Sequence, residues 1–248
     1  ALPDEEAFYY SQESHVVDWV GKSSVQVKEL EQQYAFVGGS EAQYTAYFNR
    51  QLPGNMWQWD TLESAACLSG FSVVPKKDPA KQRKLIMSCP TNYLWADCRS
   101  MHHLGLAGGA ALTSLHLLSG SNLTAAAFDE SNAFTSILLP QWMWRWFSCP
   151  PLRAALVWHL LPASLVATID KNSNVVPQYK RLPMGCSHAV SILMKVNLER
   201  VGRVLTSQRK LHLGRDDDGI NYLGGGDLFD RFLADIRSHR CKAGRRFV

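Results

Sequence analysis

Between Gly70 and Met87 the chain carries two β-type runs, Phe71-Ser72-Val73-Val74 and Arg83-Lys84-Leu85-Ile86-Met87. They flank the basic, turn-forming stretch Pro75-Lys76-Lys77-Asp78-Pro79-Ala80-Lys81-Gln82. Two such runs joined by a charged turn predict a β-hairpin, and hence an antiparallel sheet in the fold. The flanking chain reads mostly as helix. One helix is expected from Ser14 to about Val37, stopping at Gly38-Gly39. Another is expected over Asp60–Leu68, with Asp60 as N-cap and Glu63 completing a capping box. Residues 95–127, about His188–Val204 and about Leu228–Ser238 also read as helical, and residues 170–182 as a hairpin turning at Lys171-Asn172-Ser173-Asn174. The fold class expected is α+β.

Composition excludes several classes. Hydrophobic residues are 46% and charged residues 19% of 248, which rules against wholesale disorder. The six cysteines are scattered with no C-x-x-C pair, so neither a disulfide scaffold nor a clustered zinc site is expected. The N-terminus lacks both an initiator Met and the basic-then-apolar build of a signal peptide. The longest apolar stretch, Leu152–Ile169, contains Arg153, His159 and Pro162 and reads poorly as a membrane span. These features lead to the expectation of an intracellular piece of a longer polypeptide. The net charge of +4 permits a nucleic-acid partner without arguing for one.

The chemistry lies in two acidic sites almost ninety residues apart. Asp129 follows an apolar run, and Asp216-Asp217-Asp218 precedes another. Packed carboxylates repel by roughly 4 kcal/mol at about 4 Å and an effective dielectric near 20. Divalent cations reverse that sign, because hard cations take oxygen ligands. Two metals about 3.5–4 Å apart activate an attacking oxygen and stabilise a leaving one in phosphoryl transfer. A lone Asp triplet, by contrast, reads as a solvated loop.

The order of the other parts gives the acidic residues their context. The stretch Val74–Ile86 resembles the fingers hairpin of retroviral and retrotransposon reverse transcriptases. In those enzymes a lysine and, seven residues on, an arginine grip the incoming triphosphate; Lys76 and Arg83 have that separation. Arginine suits the task because its planar fork binds phosphate in bidentate fashion. Phe128-Asp129-Glu130-Ser131-Asn132-Ala133-Phe134 is similar to motif A of the same family. The resemblance makes Asp129 a metal ligand and Phe134 the gate that excludes a ribose 2′-hydroxyl, where RNA-dependent RNA polymerases usually have a second Asp. Pro177–Ser187 is similar to motif B, whose Leu-Pro-x-Gly turn, here Leu182-Pro183-Met184-Gly185, packs beside the templating base pair. Asp217 and Asp218 fall where motif C is expected. The wording around Met184 and Ser187-His188-Ala189-Val190 resembles divergent retroelement polymerases of dinoflagellate-type genomes.

The resemblance spans about Gly70 to Leu223 and implies a right-hand polymerase, with an antiparallel palm sheet packed on helices and no thumb. It divides the chain into an N-terminal helical extension (1–69), fingers hairpin and helices (70–128), and a palm with motifs A, B and C and a truncated end (129–248). It implies a reverse transcriptase core that adds deoxynucleotides to a primer with two Mg²⁺ ions, or Mn²⁺ in their place, held by Asp129, Asp217 and Asp218. Lys76, Arg83, Phe134, Met184 and Gly185 would bind substrate. The partners implied are an RNA or DNA template-primer and deoxynucleoside triphosphates, within a larger polyprotein and away from membranes.

Departures are also visible. Gly214-Arg215-Asp216 stand where motif C has an aromatic residue, Met87 stands where many relatives have Asp, and an insertion falls around 148–176. Two competing readings follow: a catalytically decayed palm-fold relic that binds nucleic acid or protein, and an unrelated metal-dependent nuclease or phosphatase. Pro140–Trp146, with Trp142, Trp144 and Trp146, reads as packing rather than as a stacking platform.

Overall fold

The computed structural model describes residues 2–50, 55–78, 82–98, 130–207, 214–215 and 221–222. The chain divides into two compact units, Asp4–Leu193 and a smaller one comprising Ala1–Pro3 with Met194–Val248. Among the described residues the class is α+β, with small open sheets.

The expected hairpin is present. Strands β3 (Gly70–Pro75) and β4 (Gln82–Met87) pair antiparallel from Gly70↔Met87 to Pro75↔Gln82. The short strand β1 (Val37–Gly38) adds to β3 in parallel, giving the order β1-β3-β4. A second sheet has the order β2-β6-β5, built from β2 (Trp57–Thr61), β6 (Asn174–Tyr179) and β5 (Leu152–Arg153), all antiparallel. Pro177 sits in the central strand, where a missing N–H would normally break the ladder. Here its carbonyl accepts from the Cys149 amide at 2.9 Å, while Lys180, three residues on, donates to Met56 on the β2 side. Backbone groups of one residue in an antiparallel strand point the same way. The absent N–H of Pro177 therefore faces residues 148–149, not β2, and no β2–β6 bond is lost.

The long N-terminal helix expected over Ser14–Val37 is broken. Helix α1 (Asp4–Tyr9) is followed by α2 (Glu13–Val16) and then by α3 (Ser24–Tyr34), capped by the Ser23 side chain. Between α2 and α3 the chain bridges to residues 94–96. Asp18 donates to the Leu94 carbonyl at 2.8 Å, Ala96 donates to Val16 at 2.8 Å, and Gly21 turns with φ +68°. Tertiary pairing overrides the helical pattern there.

The helix expected at Asp60–Leu68 is also corrected. Trp57–Thr61 is strand β2, and only Leu62–Ser64 forms a single 3₁₀ turn. Trp57 and Trp59 lie in alternation on a strand that pairs with the apolar β6, and both meet Phe48 at ring separations of 5.2 and 5.0 Å. Phe48 comes from α4 (Glu41–Asn49), whose capping box joins Ser40 and Gln43. Tyr44 of the same helix packs on Phe71 at 5.1 Å and donates to the Pro150 carbonyl. Burial of each large side chain in this cluster contributes roughly 1.5–3 kcal/mol.

Residues 170–182 do not form a hairpin of their own. The Asp170 carboxylate accepts from the amides of Asn172 and Ser173, making a turn that leads into β6, but the partners of β6 are β2 and β5. The core of the larger unit includes Val16, Met143, Phe147, Val157, Val175 and Val176, all fully buried. The tryptophan cluster packs as expected: Trp146 is buried, and the Nε1 groups of Trp142 and Trp144 donate to the carbonyls of Tyr10 and Leu139. The described cysteines form no disulfide. The helix expected at His188–Val204 is present as Ala189–Ser207. In the smaller unit β7 (Gly214–Arg215) pairs antiparallel with β8 (Asn221–Tyr222). Of the helix expected over 95–127, residues 95–98 are not helical, because Trp95 and Ala96 pair with Val17 and Val16, and the rest lies outside the described residues, as does the helix expected at Leu228–Ser238.

Candidate functional site

Lys76 immediately follows β3, and Arg83 lies in β4 opposite Val74, so pairing of the hairpin brings both to its distal end. There they line a cleft of about 420 Å³ together with Val74, Pro75, Lys77 and Asp78. Three cations and one carboxylate converge on this space, and both Lys76 and Arg83 are exposed. Such a set has the chemistry to bind an anion: Arg83 offers a planar fork, and the lysines add point charge.

Lys84, the next residue, projects to the other face of β4, as strand alternation requires. Its ammonium sits 4.9 Å from the centroid of the Tyr179 ring and 3.6 Å from Met56 Sδ. Burial, assisted by the nearby Lys76 charge, pushes its pKa down to about 8. Tyr179 closes β6 opposite Trp57, and burial raises its hydroxyl well above the usual range.

The segment after Asp129 meets the approach to the Leu182–Gly185 turn. Phe134 lies half-buried in the short helix Ala133–Ser136, which Asn132 opens with φ +56°. The chain then runs alongside residues 180–182. Leu139 donates to the Lys180 carbonyl at 2.9 Å, Leu182 donates to Ile137 at 3.1 Å, and Leu138 bridges Arg181. Lys180 is itself buried; desolvation, then the charge of Arg181, lowers its pKa, and its ammonium donates to Asn55 Oδ1 at 2.6 Å.

Past Leu182 the turn docks on the hairpin. Met184 is 56% exposed, whereas Gly185 lies against β4, where a Cβ would come 2.6 Å from the Ile86 carbonyl oxygen. Glycine is needed for this close approach to the chain's own strand. Asn92, in α5 (Cys89–Leu94), hydrogen-bonds the C-terminal side of the turn twice, donating to the Gly185 carbonyl and accepting from the Ser187 amide. No local signal marks Asn92 in the sequence, because its partners are more than ninety residues away.

Five of the eight candidate residues, Lys76, Arg83, Phe134, Met184 and Gly185, thus fall in the described part of the larger unit. The structure places Lys76 with Arg83 in one cleft and fastens the Gly185 turn to the strand that carries Arg83. Asp129, Asp217 and Asp218 lie outside the described residues; the strands on either side of Asp216–Ile220 are β7 and β8. Among the described residues no three His, Cys, Asp or Glu side chains converge as a metal site. The chemistry of the donor set still fits Mg²⁺, since all three are carboxylates.

A second cleft of about 470 Å³ is lined by Gln58, Asp60, Glu63, Trp144, Arg145 and Gln178 among others. It contains none of the eight candidate site residues and mixes both signs of charge. No family model and no curated protein matches the sequence. Among the described residues no helix is long and apolar enough to cross a membrane.

Proposed function

We propose that this chain is the fingers-and-palm part of an RNA-directed DNA polymerase that adds deoxynucleotides to a primer. The observation that carries the reading is the hairpin. Its distal cleft gathers Lys76 and Arg83, and its second strand supports the Leu182–Gly185 turn through Ile86. A cationic cleft on the hairpin and a glycine turn docked against the same hairpin suit triphosphate binding beside a base pair.

In this reading Arg83 and Lys76 hold the triphosphate, which lowers its electrostatic cost of approach and fixes its orientation. Phe134 stands against the sugar and Met184 against the nascent base pair. Asp129, Asp217 and Asp218 would hold two Mg²⁺ ions, which when bound polarise the reacting phosphate and activate the primer oxygen. The partners are an RNA or DNA template-primer and deoxynucleoside triphosphates, and the chain works as an intracellular part of a larger polyprotein.

The test is primer extension on an RNA template with deoxynucleotides and Mg²⁺. Arg83→Ala is expected to raise KM for the nucleotide by about tenfold or more, the loss of roughly one charge-assisted hydrogen bond. An unchanged KM in an active protein would remove the triphosphate assignment, and unchanged incorporation by Asp129→Asn would remove the metal assignment.

A second reading, a decayed palm that binds nucleic acid or protein, is favoured by one observation. Arg215 occupies β7, so the strand entering the acidic residues carries a cation where the resembling family has an aromatic side chain.

A further inference from the structure

The turn that presents Met184 is held from outside by a single carboxamide. Asn92 donates from Nδ2 to the Gly185 carbonyl at 2.8 Å, and its Oδ1 accepts from the Ser187 amide at 2.8 Å. The turn is closed internally by the Cys186 amide donating to the Pro183 carbonyl at 3.1 Å. On its far side Gly185 abuts the Ile86 carbonyl, with no room for a side chain. The turn is therefore gripped between the end of β4, which carries Arg83, and helix α5, which follows it.

We propose that Asn92 is a positioning residue that makes the Met184–Gly185 turn and the triphosphate-binding hairpin one rigid body. The inference rests on the polymerase reading above. A carboxamide fits the task because it donates and accepts from adjacent atoms, satisfying a backbone C=O and a backbone N–H at once. Aspartate can only accept when ionised, so it keeps the Ser187 bond but sets a negative charge against the Gly185 carbonyl. Alanine leaves both backbone groups to water. The turn then keeps its close approach to Ile86 and the flanking Leu182–Ile137 bond but loses both bonds to α5, so the 56%-exposed Met184 is held less tightly relative to Arg83. Nucleotide binding depends on that placement, whereas the intrinsic reactivity of a correctly bound nucleotide does not.

The experiment uses the full chain with Asn92→Ala and Asn92→Asp, and reads three quantities: amide exchange at Ser187, the unfolding midpoint, and single-nucleotide incorporation kinetics. For Asn92→Ala, Ser187 exchange is expected to rise by about tenfold, the loss of roughly one hydrogen bond. KM for the incoming deoxynucleotide is expected to rise by about tenfold, with a much smaller change in kcat and a midpoint shift of only a few degrees. Asn92→Asp is expected to retain Ser187 protection and to give an intermediate KM. Unchanged Ser187 exchange in Asn92→Ala would overturn the clamp. Faster exchange with an unchanged KM would overturn its positioning role, as would kcat and KM worsening only in step with loss of folded protein. Absence of incorporation by the unaltered chain on every template would instead overturn the polymerase reading, and the substrate role of Asn92 with it.

Discussion

His188 is fully buried, with both ring nitrogens engaged: Nδ1 lies 3.0 Å from the Tyr10 hydroxyl and Nε2 lies 2.6 Å from the Ala96 carbonyl. Trp95 packs edge-on against its ring, and Cys98 Sγ lies 3.9 Å from the Tyr10 hydroxyl. Burial lowers its pKa; the Ala96 carbonyl and Asp97 oppose that without reversing it. The folded state therefore binds a proton less readily than the unfolded chain, in which an ordinary histidine titrates near 6.5. Stability is fully present above about pH 6.5 and is lost as the pH falls toward the depressed folded value. Urea midpoints at about pH 7.5 and 5.5 check this. His188→Asn is expected to lose stability at both values and to show a smaller acid-induced drop; an unchanged drop would assign the pH dependence elsewhere. The sequence drew attention to His188 only within a run resembling motif B. Its role in pinning Tyr10 was not legible, because the two residues are 178 positions apart.

At the scale of elements, the hairpin was legible and its surroundings were not. Phe71–Val74 and Arg83–Met87 have β-type runs and a turn between them, so local pattern and tertiary pairing agree. The run Asp60–Leu68 carries a capping-box pattern, yet Trp57 and Trp59 draw the chain into β2 because the aromatic cluster on α4 and the apolar face of β6 reward an extended strand. Ser14–Val37 fails as one helix for the same kind of reason: pairing with residues 94–96 supplies backbone partners that a helix would have supplied locally. The hairpin in turn depends on Gly70. A Cβ there would fall on the Tyr34 carbonyl at the end of α3 and on the Met87 side chain. Gly70→Ala is expected to cost about 1–3 kcal/mol as overpacking against backbone. A urea titration checks this, and a cost below about 0.5 kcal/mol, the scale of an ordinary surface change, would show that the hairpin is not seated as described.

At the scale of the whole molecule, catalysis and mere binding make different demands. A polymerase requires its three carboxylates and a divalent ion, whereas a decayed palm can hold nucleic acid through basic side chains alone. Binding to a primer-template should weaken with salt in either case, but only the enzyme loses function when Mg²⁺ is chelated. With an active protein, Phe134→Ala is expected to admit ribonucleotides, measured as a rise in the ribonucleotide-to-deoxynucleotide ratio of kcat/KM; an unchanged ratio would remove the gate assignment. Retention of binding with EDTA, coupled with indifference to Asp217→Asn and Asp218→Asn, would favour the decayed reading.

Local spacing and residue type sufficed for the β3–β4 hairpin, the helix Ala189–Ser207 and the α+β class. Long-range contacts alone set Pro177 in a central strand, paired β6 with β2 and β5, and tied the hairpin and α5 to Tyr179 and Gly185 through Lys84 and Asn92. Those links join residues tens to more than one hundred positions apart. No local propensity encodes such contacts, which become favourable only once chain entropy has been overcome by burial of the shared core.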